Sequence, residues 1–92
     1  MKQVWVFNGA GGRFPSAIFE QRADAEKWIA SNSLTGVLTQ YPVGIPVYDW
    51  AIGNDQFRVK NEREKSAAFI QKFSSSAQPH IHFDNGKADS QE

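Results

Sequence analysis

The chain has 92 residues, enough for one hydrophobic core and too few for a second domain that could stand alone. With 40% apolar and 22% charged residues it has the composition of a globular domain, not of a disordered segment. Ten basic and ten acidic side chains cancel, so net charge gives no pull toward nucleic acid or anionic lipid, and the lack of cysteine excludes disulfides, thiolate nucleophiles and cysteine-based zinc sites.

A domain this short exposes much of its surface and depends on bulky side chains. Trp5, Trp28, Trp50 and seven phenylalanines supply them, each able to bury roughly 150–250 Å². The N-terminus runs directly into Val4-Trp5-Val6-Phe7 without a basic region and apolar stretch of leader type, and no apolar stretch is long enough for a membrane span. A cytoplasmic location is the expectation, with residues 1–86 forming a single α+β domain and 87–92 a polar tail.

In chain order, residues 3–8 put Val4 and Val6 on one face and Trp5 and Phe7 on the other, as a strand covered on both sides would. The run Gly9-Ala10-Gly11-Gly12 tolerates positive φ, and Phe14 to Phe19 resumes extended character, so the two stretches read as a β-hairpin whose Pro15 belongs at an edge. Ala25, Trp28 and Ile29 at i, i+3 and i+4 predict an amphipathic helix over 22–30, with Glu20-Gln21 a poor N-cap and Ser31-Asn32-Ser33 its end.

Thr35 to Tyr41 predicts a third strand, and Val43 to Tyr48 a short, irregular extended piece interrupted by Gly44 and Pro46. Asp49 could cap a helical turn through Trp50, Ala51 and Ile52, closed by Gly53-Asn54. The mixed-charge run 58–65 reads as a solvated loop or the approach to a helix, followed by a second helix over 66–73 with Phe69, Ile70 and Phe73 at core spacing. Gln78 to Phe83 predicts a last strand and Asn85-Gly86 a turn. The architecture is α+β, an antiparallel or mixed sheet of about four or five strands with two helices, in approximate order ββαββαβ.

Seven stretches stand out along this order: Val4-Trp5-Val6-Phe7-Asn8-Gly9, Arg13-Phe14-Pro15-Ser16, Ala25-Glu26-Lys27-Trp28-Ile29, Leu34-Thr35-Gly36, Tyr41-Pro42-Val43, Tyr48-Asp49-Trp50-Ala51-Ile52 and Phe69-Ile70. Taken together, over roughly residues 3 to 86, they resemble a family of small bacterial proteins of unknown function. The resemblance supports the fold and implies no activity, cofactor or catalytic residue. Such proteins tend to offer a hydroxyl cap at the first helix, where this chain has Glu20-Gln21.

Chemistry could sit in a few places. His80, His82 and Asp84 fall on one face of the last strand, residue types that bind zinc or another transition metal, and an open position on such an ion could activate water. A third or fourth ligand would have to come from Asp49, Asp55, Glu20 or a second subunit; the alternative is a polar strand face that merely solvates its histidines. Gly9 to Arg13 has the glycines of a phosphate loop but opens no helix and has no Lys-Ser/Thr pair, so it reads as a mobile hairpin tip. No serine sits in a nucleophile elbow.

Trp5, Tyr48 and Trp50 could present rings at a binding surface, with Arg13 beside them as a basic partner. By elimination the chain reads as a small binding or interaction module, protein–protein in kind, with no cofactor and more likeness to a non-enzyme than to an enzyme. A metal-dependent enzyme or metal-binding protein built on the His-x-His strand is the first alternative, and an aromatic-surface binder of nucleic acid or sugar the second. Apolar surface on the first strand and edge-like segments after Pro15 and Pro42 favour a homodimer over a monomer.

Overall fold

A computed structural model describes residues 2–89. The chain divides into two compact units, Met1–Val43 with Pro79–Glu92, and Gly44–Gln78.

The first unit is a five-stranded antiparallel sheet in the order β2-β1-β3-β4-β5, formed by β1 (Gln3–Gly9), β2 (Ala17–Phe19), β3 (Gly36–Pro42), β4 (His80–Asp84) and β5 (Lys87–Ala88), with helix α1 (Arg22–Ser31) between β2 and β3 in sequence. The doubly apolar β1 lies between two partners, as its pattern requires. Phe7 pairs with Leu38, and Leu38 with Ile81, so these side chains share one face of the sheet. Against that face α1 sets Ala25 and Ile29, and the core comprises Trp5, Phe7, Ala25, Ile29, Leu38 and Phe83. Phe7, Ile29 and Leu38 are almost wholly withdrawn from water, each worth about 1.5–3 kcal/mol of burial. Trp28 closes the side of this core, edge-on to Phe7 at 5.7 Å and tilted against Phe19 at 5.6 Å.

Helix α1 begins at Gln21 with no side-chain cap, as the sequence implies. Its end is better satisfied. Asn32 donates from its side chain to the Trp28 carbonyl, Ser33 takes φ 53°, and the Ser33 and Leu34 amides donate to the Ala30 and Ile29 carbonyls, the Schellman arrangement. Asn85 and Gly86, at φ 51° and 83°, form the tight turn between β4 and β5. That turn is docked by Gly86 N–H on the Leu34 carbonyl and Asn85 N–H on the Thr35 hydroxyl.

Two expectations change in this unit. The second strand does not start at Phe14: pairing is delayed to Ala17 because Pro15 has no N–H to give and Phe14 stays exposed, the first bond being Ser16 N–H to the Phe7 carbonyl. Lys87, read as the start of a polar tail, instead opens a two-residue strand, both residues exposed and paired to β4 through the turn. Residues 90–92 of that tail lie outside the described residues.

Val43 to Tyr48, all but its first residue in the second unit, is not an extended piece. Gly44 at φ 87° turns the chain, and Pro46 becomes the N-cap of helix α2 (Val47–Gly53), where a missing N–H costs nothing. Asp49 therefore lies in the first turn of α2 and caps nothing. Asn54, Asp55 and Gln56 end α2 by the same device that ends α1: Asn54 bonds the Trp50 carbonyl, Asp55 takes φ 59°, and the Asp55 and Gln56 amides donate to Ile52 and Ala51. The expected helix over 66–73 shortens to one turn, α3 (Ala67–Ile70), and the mixed-charge run before it contains a 3₁₀ turn (Glu62–Lys65). The core of the second unit is aromatic: Tyr48, Phe57, Phe69 and Phe73 lie with ring centroids 4.9 Å apart at closest, for Phe57 and Phe73, and 6.4 Å at most, for Tyr48 and Phe69. Ile70, assigned to the core by its spacing, is 39% exposed. Among the described residues no helix is long and apolar enough to cross a membrane.

Gly36 stands where β1 and β3 approach closely. A Cβ there would run into the Asn8 carbonyl and lie 2.8 Å from both Gly9 Cα and the Phe7 ring, whereas one on Gly53 would meet nothing within 4 Å. Gly36→Ala should lower stability by about 1–3 kcal/mol. In contrast, Gly53→Ala should raise it by about 0.4–1 kcal/mol. Urea unfolding of the two variants beside the parent protein checks both signs.

Candidate functional site

Of the four residues named for an aromatic binding surface, Trp5 and Arg13 lie in the first unit and Tyr48 and Trp50 in the second. Trp5 is 9% exposed and belongs to the core of the first unit, where the Arg22 guanidinium lies 5.7 Å from its ring centroid. It is too covered to serve as a stacking platform. Arg13 is exposed in the loop between β1 and β2. Tyr48 and Trp50 are half-buried on α2, and Tyr48 is committed to the aromatic cluster, its hydroxyl donating to the Glu64 carbonyl at 2.7 Å.

Within the glycine loop, the Ala10 and Gly12 amides donate to the Thr35 and Gly9 carbonyls, so they are not directed outward at an anion, and a strand follows instead of a helix.

The histidines stand where alternation puts them. His80 and His82 are exposed on β4, opposite Thr39 and Val37, with ring centroids 5.2 Å apart and nearly perpendicular planes. Asp84 is exposed on the same strand, opposite Lys87 of β5. Glu20 is held at 2.7 Å by the Lys2 ammonium, whose hydrogen bond and charge lower its pKa below the usual carboxylate range; both groups are exposed. Among the described residues, no group of three or more histidine or acidic side chains is gathered to hold a metal ion.

One concave site lies within the second unit, and sequence reasoning missed it. A cavity of about 200 Å³ is lined by Arg63, Ser66, Ala68, Phe69 and Lys72. Its wall is built by two successive caps: the Asn61 side chain accepts from Glu64 N–H, and the Ser66 hydroxyl accepts from Phe69 N–H while donating to the Arg63 carbonyl. Next to Arg63 in the 3₁₀ turn, Glu64 is buried at 8% exposure, with Oε1 accepting from Lys60 N–H at 2.8 Å and Oε2 4.0 Å from the Arg63 guanidinium. An Asn and a Ser, each three residues before the amide it caps, are the available signal; the density of mixed charge around them points to a solvated loop or a helix entry instead.

A family model described as a domain of unknown function, DUF7710, matches residues 4–89. The chain belongs to this family. No curated protein and no solved structure matches it. The match spans both units, and so takes in β4 with its histidines as well as the Arg63–Lys72 cavity.

Glu64 and His82 make opposite demands. Glu64→Ala takes away the carboxylate oxygen that accepts from the Lys60 amide and should cost about 1–3 kcal/mol. His82→Ala removes an exposed ring and should leave stability within about 0.5 kcal/mol of the parent. Denaturant titration checks the pair. Near-stoichiometric zinc, followed through the imidazole resonances, should leave His80 and His82 unperturbed, since two ligands on an open strand make a poor site.

Proposed function

We propose that the domain is a protein-interaction module that docks through the outer edge of β2, and that a second copy of the chain is the first partner this edge fits. What supports the reading is the contrast between the two edges of the sheet. At one end β5 is two residues long and carries Lys87, the short charged form by which sheets discourage further pairing. At the other, β2 reads Ala17-Ile18-Phe19 without a charge, and Ile18 is 66% exposed. Phe14, four residues earlier, is 75% exposed, the most open large apolar side chain in the described chain.

Leaving a phenylalanine and an isoleucine in water beside unpaired strand backbone is the pattern of a surface that another protein covers. The three-residue length of β2 limits how many ladder bonds an added strand could form, so Phe14 and Ile18 would supply much of the contact. A cytoplasmic setting belongs to the same proposal, since a cysteine-free chain needs no oxidising compartment.

Light scattering over a concentration series should show the mass rising toward that of two chains, and Ile18→Lys or Phe14→Ser should each return it to one. Both side chains are exposed, so both variants should unfold within about 0.5 kcal/mol of the parent. A parent protein that keeps the mass of one chain at high concentration removes the second copy as partner. Undiminished capture by Ile18→Lys of whatever protein the parent captures from its native host removes the edge itself.

A further inference from the structure

We propose that the cavity between Arg63 and Lys72 is a recognition pocket for an acidic peptide segment of a partner protein, seating a carboxylate between the two cations and a neighbouring apolar side chain on Phe69. This reading is independent of the β2 edge, since every lining residue lies in the second unit.

The geometry begins with the cap. Ser66, extended between the 3₁₀ turn that holds Arg63 and the α-helical turn that holds Phe69, ends the first and caps the second. Arg63, Ser66, Phe69 and Lys72, the last just beyond α3, thereby line one cavity. The wall carries two cations and no acid. Arg63 is held in place by the ring, its guanidinium 5.5 Å from the Phe69 centroid, while its side chain remains 72% exposed. Its one acidic neighbour, Glu64, is 4.0 Å away and spends its other oxygen on the Lys60 amide, which leaves most of the guanidinium fork for an external oxyanion. Glu62, the other acid of the turn, is taken by Lys65 at 3.4 Å. The Lys72 ammonium pairs with no acidic group among the described residues.

Size selects the occupant. A cavity of about 200 Å³ falls below the roughly 300–1,000 Å³ of sites that enclose small molecules and cofactors. It suits a group the size of one side chain. Exposed ion pairs contribute little in water, so a lone anion would gain little there, and the Phe69 ring with Ala68 beside it offers the apolar contact that an acidic residue next to a leucine could use.

The test uses the intact, isotope-labelled protein and a short peptide alternating glutamate and leucine, blocked at both ends. Saturable shifts of the Arg63 side-chain N–H and of the Ser66 and Phe69 amides are expected, weakening as salt rises to about 0.5 M. Arg63→Gln with Lys72→Gln should weaken binding by about tenfold or more. Lys72 is exposed and pairs with no acid among the described residues, so Lys72→Glu alone, which leaves the Arg63–Glu64 and Arg63–Phe69 contacts intact, should abolish the response at an unchanged thermal midpoint.

An equal response to a blocked peptide of the same length alternating lysine and leucine, or none to the glutamate peptide, overturns the proposal. An equal response to inorganic phosphate reduces the pocket to a simple anion site and overturns the peptide. Much tighter binding of a phosphoserine–leucine peptide overturns the carboxylate in favour of a phosphorylated partner. None of these outcomes depends on whether Ile18→Lys changes the mass of the protein.

Discussion

The contact on which the first unit depends is the stacking of Ile29 and Ala25 of α1 over Phe7 and Leu38, which face each other across β1 and β3. Side chains alternate between the faces of a strand, so once Phe7 and Leu38 point at the helix, the direction of every other sheet residue follows. Ile81 and Phe83 must join the core, and His80 and His82 must turn away from it. Val6 must oppose Ile18 on the far face, where Val6 on the inner strand is 9% exposed and Ile18 on the edge strand 66%. A register slip of one residue would bury the histidines and expose Phe83. The surface chemistry of this unit is thus a consequence of its core.

Short elements place a second demand on the chain. Helices of seven and ten residues have a large share of their backbone groups at their ends. Both C-termini are closed by an Asn side chain returning to a carbonyl and a non-glycine residue at positive φ, Ser33 in one case and Asp55 in the other. Left-handed backbone costs a serine roughly 1–2 kcal/mol relative to its preferred conformations. The strain persists because the next amide then reaches back into the helix and, for α1, because Leu34 is placed to receive the β4–β5 turn.

How far these features were legible depended on whether a local pattern carried them. Hydrophobic alternation located β1 and β3, helical spacing located α1, and Asn85-Gly86 marked its turn, because in each the local preference and the tertiary demand agree. β5 escaped because Lys87 and Ala88 bury nothing and exist as a strand only by pairing. Val43 to Tyr48 misled because Gly44 and Pro46 suit a broken strand as well as a turn and a helix start. Trp5 was open to a place at a binding surface on sequence alone, yet the parity it shares with Phe7 turns it inward. The cavity was least visible of all: nothing in a run of alternating charges announces that Glu64 will be buried, and without that burial Arg63 has no reason to stand apart from its neighbours.

A chain with no net charge can still present a local one. The ten acids and ten bases cancel only in the sum. Glu62 is paired with Lys65, and Glu64 divides its oxygens between the Lys60 amide and the Arg63 guanidinium, so the two cations of the cavity wall, Arg63 and Lys72, are set against a single nearby carboxylate. In water at physiological salt a field is felt over about 8 Å, so a partner responds to that local imbalance and not to the total. Neutral composition therefore argues against a long polyanion, which needs many phosphate contacts spread along a surface. It leaves room for a single acidic side chain, which needs two cations and something apolar to lie on, and that is the set of groups Arg63, Lys72 and Phe69 bring together.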